Sequence, residues 1–93
     1  MTTPELEEEV STLITTEKEY VIILYNDDVN TFEHVIECLV RICGHHPLQA
    51  EQCANLVHYT GKCQVSEGTL TEMQKQCTAL LDEKLSAKIE LKN

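Results

Sequence analysis

Aromatic side chains are scarce in this chain: three Tyr, one Phe and no Trp among 93 residues. A platform for stacking bases or sugars is therefore not expected. Positive charge is also short. Seven Lys and Arg stand against sixteen Asp and Glu, a formal net charge of -9. Such a surface repels phosphate backbones and anionic lipid and favours cationic ligands, so neither nucleic acid nor membrane is an expected partner. No apolar run approaches the ~20 residues that span a bilayer. The first residues carry neither the basic nor the apolar segment of a signal peptide, which points to a cytoplasmic protein.

Only three glycines are present. There is no phosphate-cradling glycine loop, no G-x-S-x-G and no H-E-x-x-H, so catalysis is not expected. Cysteine numbers five, an odd count with no C-x-x-C pair and no sign of export. A disulfide framework is not expected, and most of these thiols read as small core hydrophobes. Cys53 and His58 are five apart on a helix and so do not face each other as a nucleophile and base would. Cys43, His45 and His46 match metal-ligand spacing only loosely. No metal and no cofactor is expected.

The length suits one domain. The first 19 residues hold six Glu against Lys18, giving -5 of the total -9. Residues 1–18 read as a mobile acidic tail and residues 19–93 as the folded core. Tyr20–Tyr25 is a run of six β-formers, suited to a strand covered on both faces or central to a sheet, and it stops at the turn signal Asn26-Asp27-Asp28. Asn30 and Glu33 then have capping-box spacing, with Phe32, Val35, Ile36, Leu39, Ile42 and Cys43 on one helical face and Gly44 to end the helix. Pro47 opens a second helix with Ala50, Cys53, Ala54 and Val57 inward and Gly61 at its end. Lys62–Val65 alternates as a short strand. A second capping box, Thr69 with Glu72, opens a third helix with Leu70, Met73, Cys77, Leu80 and Leu81 inward. Leu85–Leu91 alternates as a closing strand. The expected class is α+β in the order β-α-α-β-α-β: a small antiparallel three-stranded sheet with three helices on one face.

Three Asx residues after an apolar strand are more than a turn needs. Taken alone, Asn26, Asp27 and Asp28 read first as a plain Asx turn leading to a helix N-terminus, where negative charge is favoured. His58 taken alone reads as a helix-end or half-buried histidine. Together the groups suggest more. An ammonium ion has three N–H donors and no acceptor. An Asn carbonyl, a carboxylate and a neutral imidazole nitrogen would satisfy it.

The segment Leu24-Tyr25-Asn26-Asp27-Asp28 resembles the hallmark of the ClpS adaptor family. Glu33-His34-Val35-Ile36 is similar to the family's first helix, and Val57-His58-Tyr59-Thr60-Gly61-Lys62 to its V-H-x-x-G-K helix end. Asp28 and His58 stand 30 positions apart, as the family pattern has it. The resemblance runs over residues 19 to 91. It implies an adaptor that binds the first residue of N-degron substrates, a free α-amino group plus a bulky hydrophobic side chain. Such an adaptor delivers them to the AAA+ unfoldase of the Clp protease, of ClpA or ClpC type. By this resemblance Asn26, Asp27 and His58 bind the α-amino group. Asp28 and Asn30 line the rim or cap the first helix. Phe32, Val35, Ala54, Val57 and Leu85 line the side-chain pocket, and Glu72 and Lys75 are candidates for docking on the unfoldase. Phe32 stands where relatives commonly have Met, and Ala54 where a larger apolar residue is common, which alters the shape of the pocket. The expected form is a monomer. A protein-interaction domain of the same fold without N-degron binding is the alternative reading, and a small thiol or metal enzyme the third.

Overall fold

A computed structural model describes residues 18–92, so nearly all of the expected tail lies outside the described residues. The elements are β1 (Tyr20–Tyr25), α1 (Phe32–Cys43), α2 (Pro47–Thr60), β2 (Lys62–Gly68), α3 (Leu70–Asp82) and β3 (Ser86–Leu91). The sheet is antiparallel in the order β2-β1-β3. Three helices pack on it, the α+β arrangement expected from the sequence.

β1 is the central strand, which is why it can be apolar along its length. Val21, Ile22 and Leu24 are buried, and Ile22 and Leu24 join Leu39, Met73, Leu80 and Cys38 as the largest fully buried side chains. β2 extends past the expected Val65 to Gly68. Ser66 and Glu67 are weak strand formers, but pairing with Ile22 and Val21 of the central strand overrides that preference. The register shifts between Ile22 and Ile23, leaving Val65 as the extra residue of a bulge. The buried His45 uses the bulge: its Nε2–H donates to the Val65 carbonyl across 2.7 Å.

The helix ends follow local chemistry with one correction. α1 is capped by Thr31, whose hydroxyl accepts from the His34 N–H at 3.1 Å, and not by Asn30 with Glu33. Gly44 adopts φ 72° past its end. Gly61 closes α2 at φ 96° and donates its N–H to the Val57 carbonyl. Both angles lie in the left-handed region that favours glycine. α3 carries the expected Thr69–Glu72 capping box. Its core stripe is Met73, Cys77 and Leu80. Leu70 and Leu81, expected inward, are 39% and 50% exposed, because they flank that stripe rather than continue it. Among the described residues no helix is long and apolar enough to cross a membrane.

Candidate functional site

The end of β1 is fastened to the end of α2. The Asn26 N–H donates to the Gly61 carbonyl at 2.9 Å, and Tyr25 pairs with Lys62 in the sheet. This pairing brings Asn26 and His58, 32 positions apart in the chain, onto the rim of one cleft.

The following turn is built around the Asp27 carboxylate. Oδ1 accepts from the backbone N–H of Val29 at 3.0 Å and of Asn30 at 3.1 Å. Oδ2 accepts from the Ser86 hydroxyl at 3.0 Å, which ties the turn to the start of β3. The Asn30 side-chain amide donates to both oxygens, at 3.1 and 3.0 Å. Partial burial pushes the Asp27 pKa up, but the hydrogen bonds from Val29, Asn30 and Ser86 outweigh it, and the net shift is downward. The Asn30 amide also donates to the Lys84 carbonyl at 2.8 Å. Both of its N–H donors are thereby used, against partners that only accept. What Asn30 has left to offer is its amide oxygen, an acceptor.

The cleft has a volume of about 360 Å³, at the small end of ligand pockets. Its polar lining is Asn26, Asn30, Asn55, His58 and Tyr59, and its apolar lining is Phe32, Val35, Ala54 and Val57. An adjoining cavity of about 30 Å³ shares Asn26, Asn30, Val35 and Val57 and adds Leu24, Tyr25, Asp27, Leu85 and Ser86. Seven of the expected site residues thus meet in one cleft. Asp27 and Leu85 stand behind it, in the smaller cavity. Asp28 is exposed and lines neither.

Two lining residues escaped the sequence reading. Asn55 follows Ala54 and breaks the apolar spacing of α2. Tyr59 follows His58, and their rings meet edge to face with centroids 4.7 Å apart. A single unpaired polar residue beside each recognised position was the only signal. Glu72 and Lys75 are exposed on α3 and line neither cavity. His45 and His46, weighed above as loose metal ligands with Cys43, have structural roles: His45 holds the β2 bulge, and the His46 imidazole accepts from the Leu48 N–H as the cap of α2.

The family model for the ATP-dependent Clp protease adaptor protein ClpS matches residues 15–92. An ATP-dependent Clp protease adapter protein ClpS from Nostoc sp. is 48% identical over 50 residues, which are 53% of this chain and 52% of that protein. The match thus spans about half the length of that relative. The solved structure of Agrobacterium tumefaciens ClpS2 bound to L-phenylalaninamide superposes with a TM-score of 0.75 at 20% identity, covering 81% of this chain and 98% of that one. That likeness is one of fold. The family model spans all six elements and both motifs of the cleft, and on that ground the chain belongs to the ClpS family of Clp protease adaptor proteins.

Proposed function

We propose that the cleft binds the first residue of N-degron proteins and that the chain delivers them to the AAA+ unfoldase of a Clp protease, of ClpA or ClpC type. The observation that carries this reading is the joining of Asn26, Asn30 and His58 on the rim of a cleft lined by Phe32, Val35, Ala54 and Val57. A free α-amino group is an ammonium with three N–H donors. The Asn26 and Asn30 amide oxygens and a neutral His58 nitrogen are three acceptors. Asp27 supplies the negative charge just behind them and holds Asn30 in its accepting orientation. The apolar lining takes the first side chain. The phenylalaninamide bound to the Agrobacterium protein is a ligand of this chemistry, a free amino group on a bulky hydrophobic residue. Docking on the unfoldase is assigned to the exposed α3 residues Glu72 and Lys75.

One buried side chain contributes ~1.5–3 kcal/mol, and each charge-assisted hydrogen bond a similar amount. After the cost of ordering, affinity is expected near ~1 μM. The test is a titration with fluorescent peptides beginning in Leu, Phe, Tyr or Trp, each beside its N-acetylated copy. Acetylation removes the charge and two donors and should weaken binding at least ~10-fold. Equal binding of free and acetylated peptides would rule this reading out.

A further inference from the structure

His34, Cys38 and Glu83 form a second chemical cluster, and none of the three lines the cleft. His34 and Cys38 stand four apart on α1 and so share one helical face. Glu83 comes from the end of α3. One ligand atom from each lies within 4.8 Å of the other two. The His34 Nε2 to Cys38 Sγ distance is 3.6 Å, and His34 Nε2 to Glu83 Oε1 is 3.8 Å. Four-coordinate zinc holds sulfur at ~2.3 Å and nitrogen or oxygen at ~2.0–2.2 Å, which places neighbouring donor atoms ~3.4–3.6 Å apart. The two distances from His34 lie within a few tenths of an ångström of that spacing before any side chain moves, and the third, between Cys38 and Glu83, is no more than 4.8 Å.

We propose that His34, Cys38 and Glu83 are a binding site for a thiophilic divalent cation, with zinc the best match to the ligand set. A thiolate, an imidazole and one carboxylate oxygen suit zinc better than magnesium or calcium, which prefer oxygen alone. Thiolate and carboxylate together offset the two positive charges. The Arg41 guanidinium pairs with the other Glu83 oxygen, Oε2, at 3.2 Å. It therefore orients the carboxylate from outside while Oε1 faces His34, a supporting contact of the kind metal sites use. The His34 and Glu83 side chains are 30% and 36% exposed, whereas Cys38 is fully buried beneath them. An ion would enter from the side of the partly exposed His34 and Glu83, with water in the fourth position.

Binding proceeds with a defined proton balance. The Cys38 thiol releases its proton to solvent as the sulfur–metal bond forms. His34 coordinates through Nε2 as a neutral imidazole with its proton on Nδ1. It gives up the 3.0 Å hydrogen bond between Nε2 and the Glu83 carbonyl. The ion would fasten α1 to the turn after α3. The next residue of that turn, Lys84, carries the carbonyl that holds Asn30 at the cleft.

Cobalt titration of the reduced, metal-free full chain tests the site. One ion per chain should give a thiolate-to-cobalt charge-transfer band in the near ultraviolet and the visible bands of four-coordinate cobalt. Zinc should abolish both and raise the unfolding temperature. His34→Gln and Glu83→Gln change half-exposed side chains and should each weaken cobalt binding at least ~10-fold. Cys38→Ala should remove the charge-transfer band. The proposal is overturned if no such band forms, if the bands survive both Gln variants at unchanged affinity, or if they follow Ser replacements of Cys43, Cys53 or Cys63 instead.

Discussion

The Asn30 amide donates to the Lys84 carbonyl across 2.8 Å, joining residues 54 positions apart at the back of the cleft. Lys84 has a positive φ of 72°, uncommon for a non-glycine residue. The turn between α3 and β3 is thus bent to present that carbonyl, and the same Asn30 amide bridges to the Asp27 carboxylate. Two parts of the chain that approach the cleft from opposite ends of the sequence are locked by one side chain.

Asn30→Asp removes both donors and sets a carboxylate against the Asp27 carboxylate and the Lys84 carbonyl. The Lys84 carbonyl would lose its donor, and the two carboxylates would face each other with no side-chain donor between them, although Asp27 keeps its bonds from the Val29 and residue-30 backbone N–H groups and from Ser86. A loss of about 1–3 kcal/mol in unfolding free energy is expected, read from urea midpoints at neutral pH. An unchanged midpoint would mean that the network holds the turn only weakly.

The lowered pKa of Asp27 predicts a pH dependence of defined sign. Its hydrogen bonds stabilise the ionised form, so the folded-state pKa lies below the ordinary 3.8. Stabilisation from this group is complete above the unfolded-state value and is lost as pH falls through the folded-state value. The stability difference between the native chain and Asp27→Asn should therefore be large at pH 6 and shrink towards pH 3. A constant difference across that range would remove Asp27 as the source.

How far the sequence carried the reading depends on the range of the interaction. The Thr69–Glu72 capping box lies within four residues and was legible. So was β1, whose unbroken run of β-formers suits a strand covered on both faces or central to a sheet. The cap of α1 was misread because Asn30 and Thr31 are both good caps. The choice was made by Asp27 and Lys84, and Lys84 is too distant for local pattern to reveal. The resemblance to relatives placed Asn26 and His58, but Asn55 and Tyr59 sit one position from recognised residues and carry no periodicity of their own. The His34–Cys38 spacing was visible in the sequence, whereas Glu83 reaches it only through tertiary packing.

Burial should silence Cys43 and Cys63 at neutral pH. Cys43 is pushed up to about 11 by its apolar surroundings, with smaller contributions from Cys53 and Cys38. Burial, followed by a hydrogen bond with Cys53, raises Cys63 as well. At pH 8 Cys43 should be ~0.1% thiolate, ~100-fold less than a thiol at the ordinary value of 9.0. Iodoacetamide should label it that much more slowly in the native chain, with the difference vanishing in concentrated urea. Native labelling at the free-thiol rate would instead mark a reactive cysteine and revive the thiol-enzyme reading.

If the cleft binds N-terminal residues as proposed, selectivity among them should rest on Ala54 and Phe32. Ala54 is 3% exposed and lines the cleft, so its small size leaves room that a longer side chain would occupy. Phe32 lines the same cleft and is 37% exposed. In Ala54→Met the added atoms intrude on the space for a ring. Peptides beginning in Trp or Phe should lose ~10-fold in affinity, about 1.4 kcal/mol, within the usual cost of overpacking. Peptides beginning in Leu, which need less depth, should lose little. Phe32→Ala should shift the ratio the other way by opening the pocket to larger rings. Dissociation constants for the Trp and Leu peptides on each variant give the ratio directly. If Ala54→Met leaves the affinity of both peptides unchanged, the first side chain does not reach Ala54, and the pocket must be sought in the smaller cavity beside Leu85.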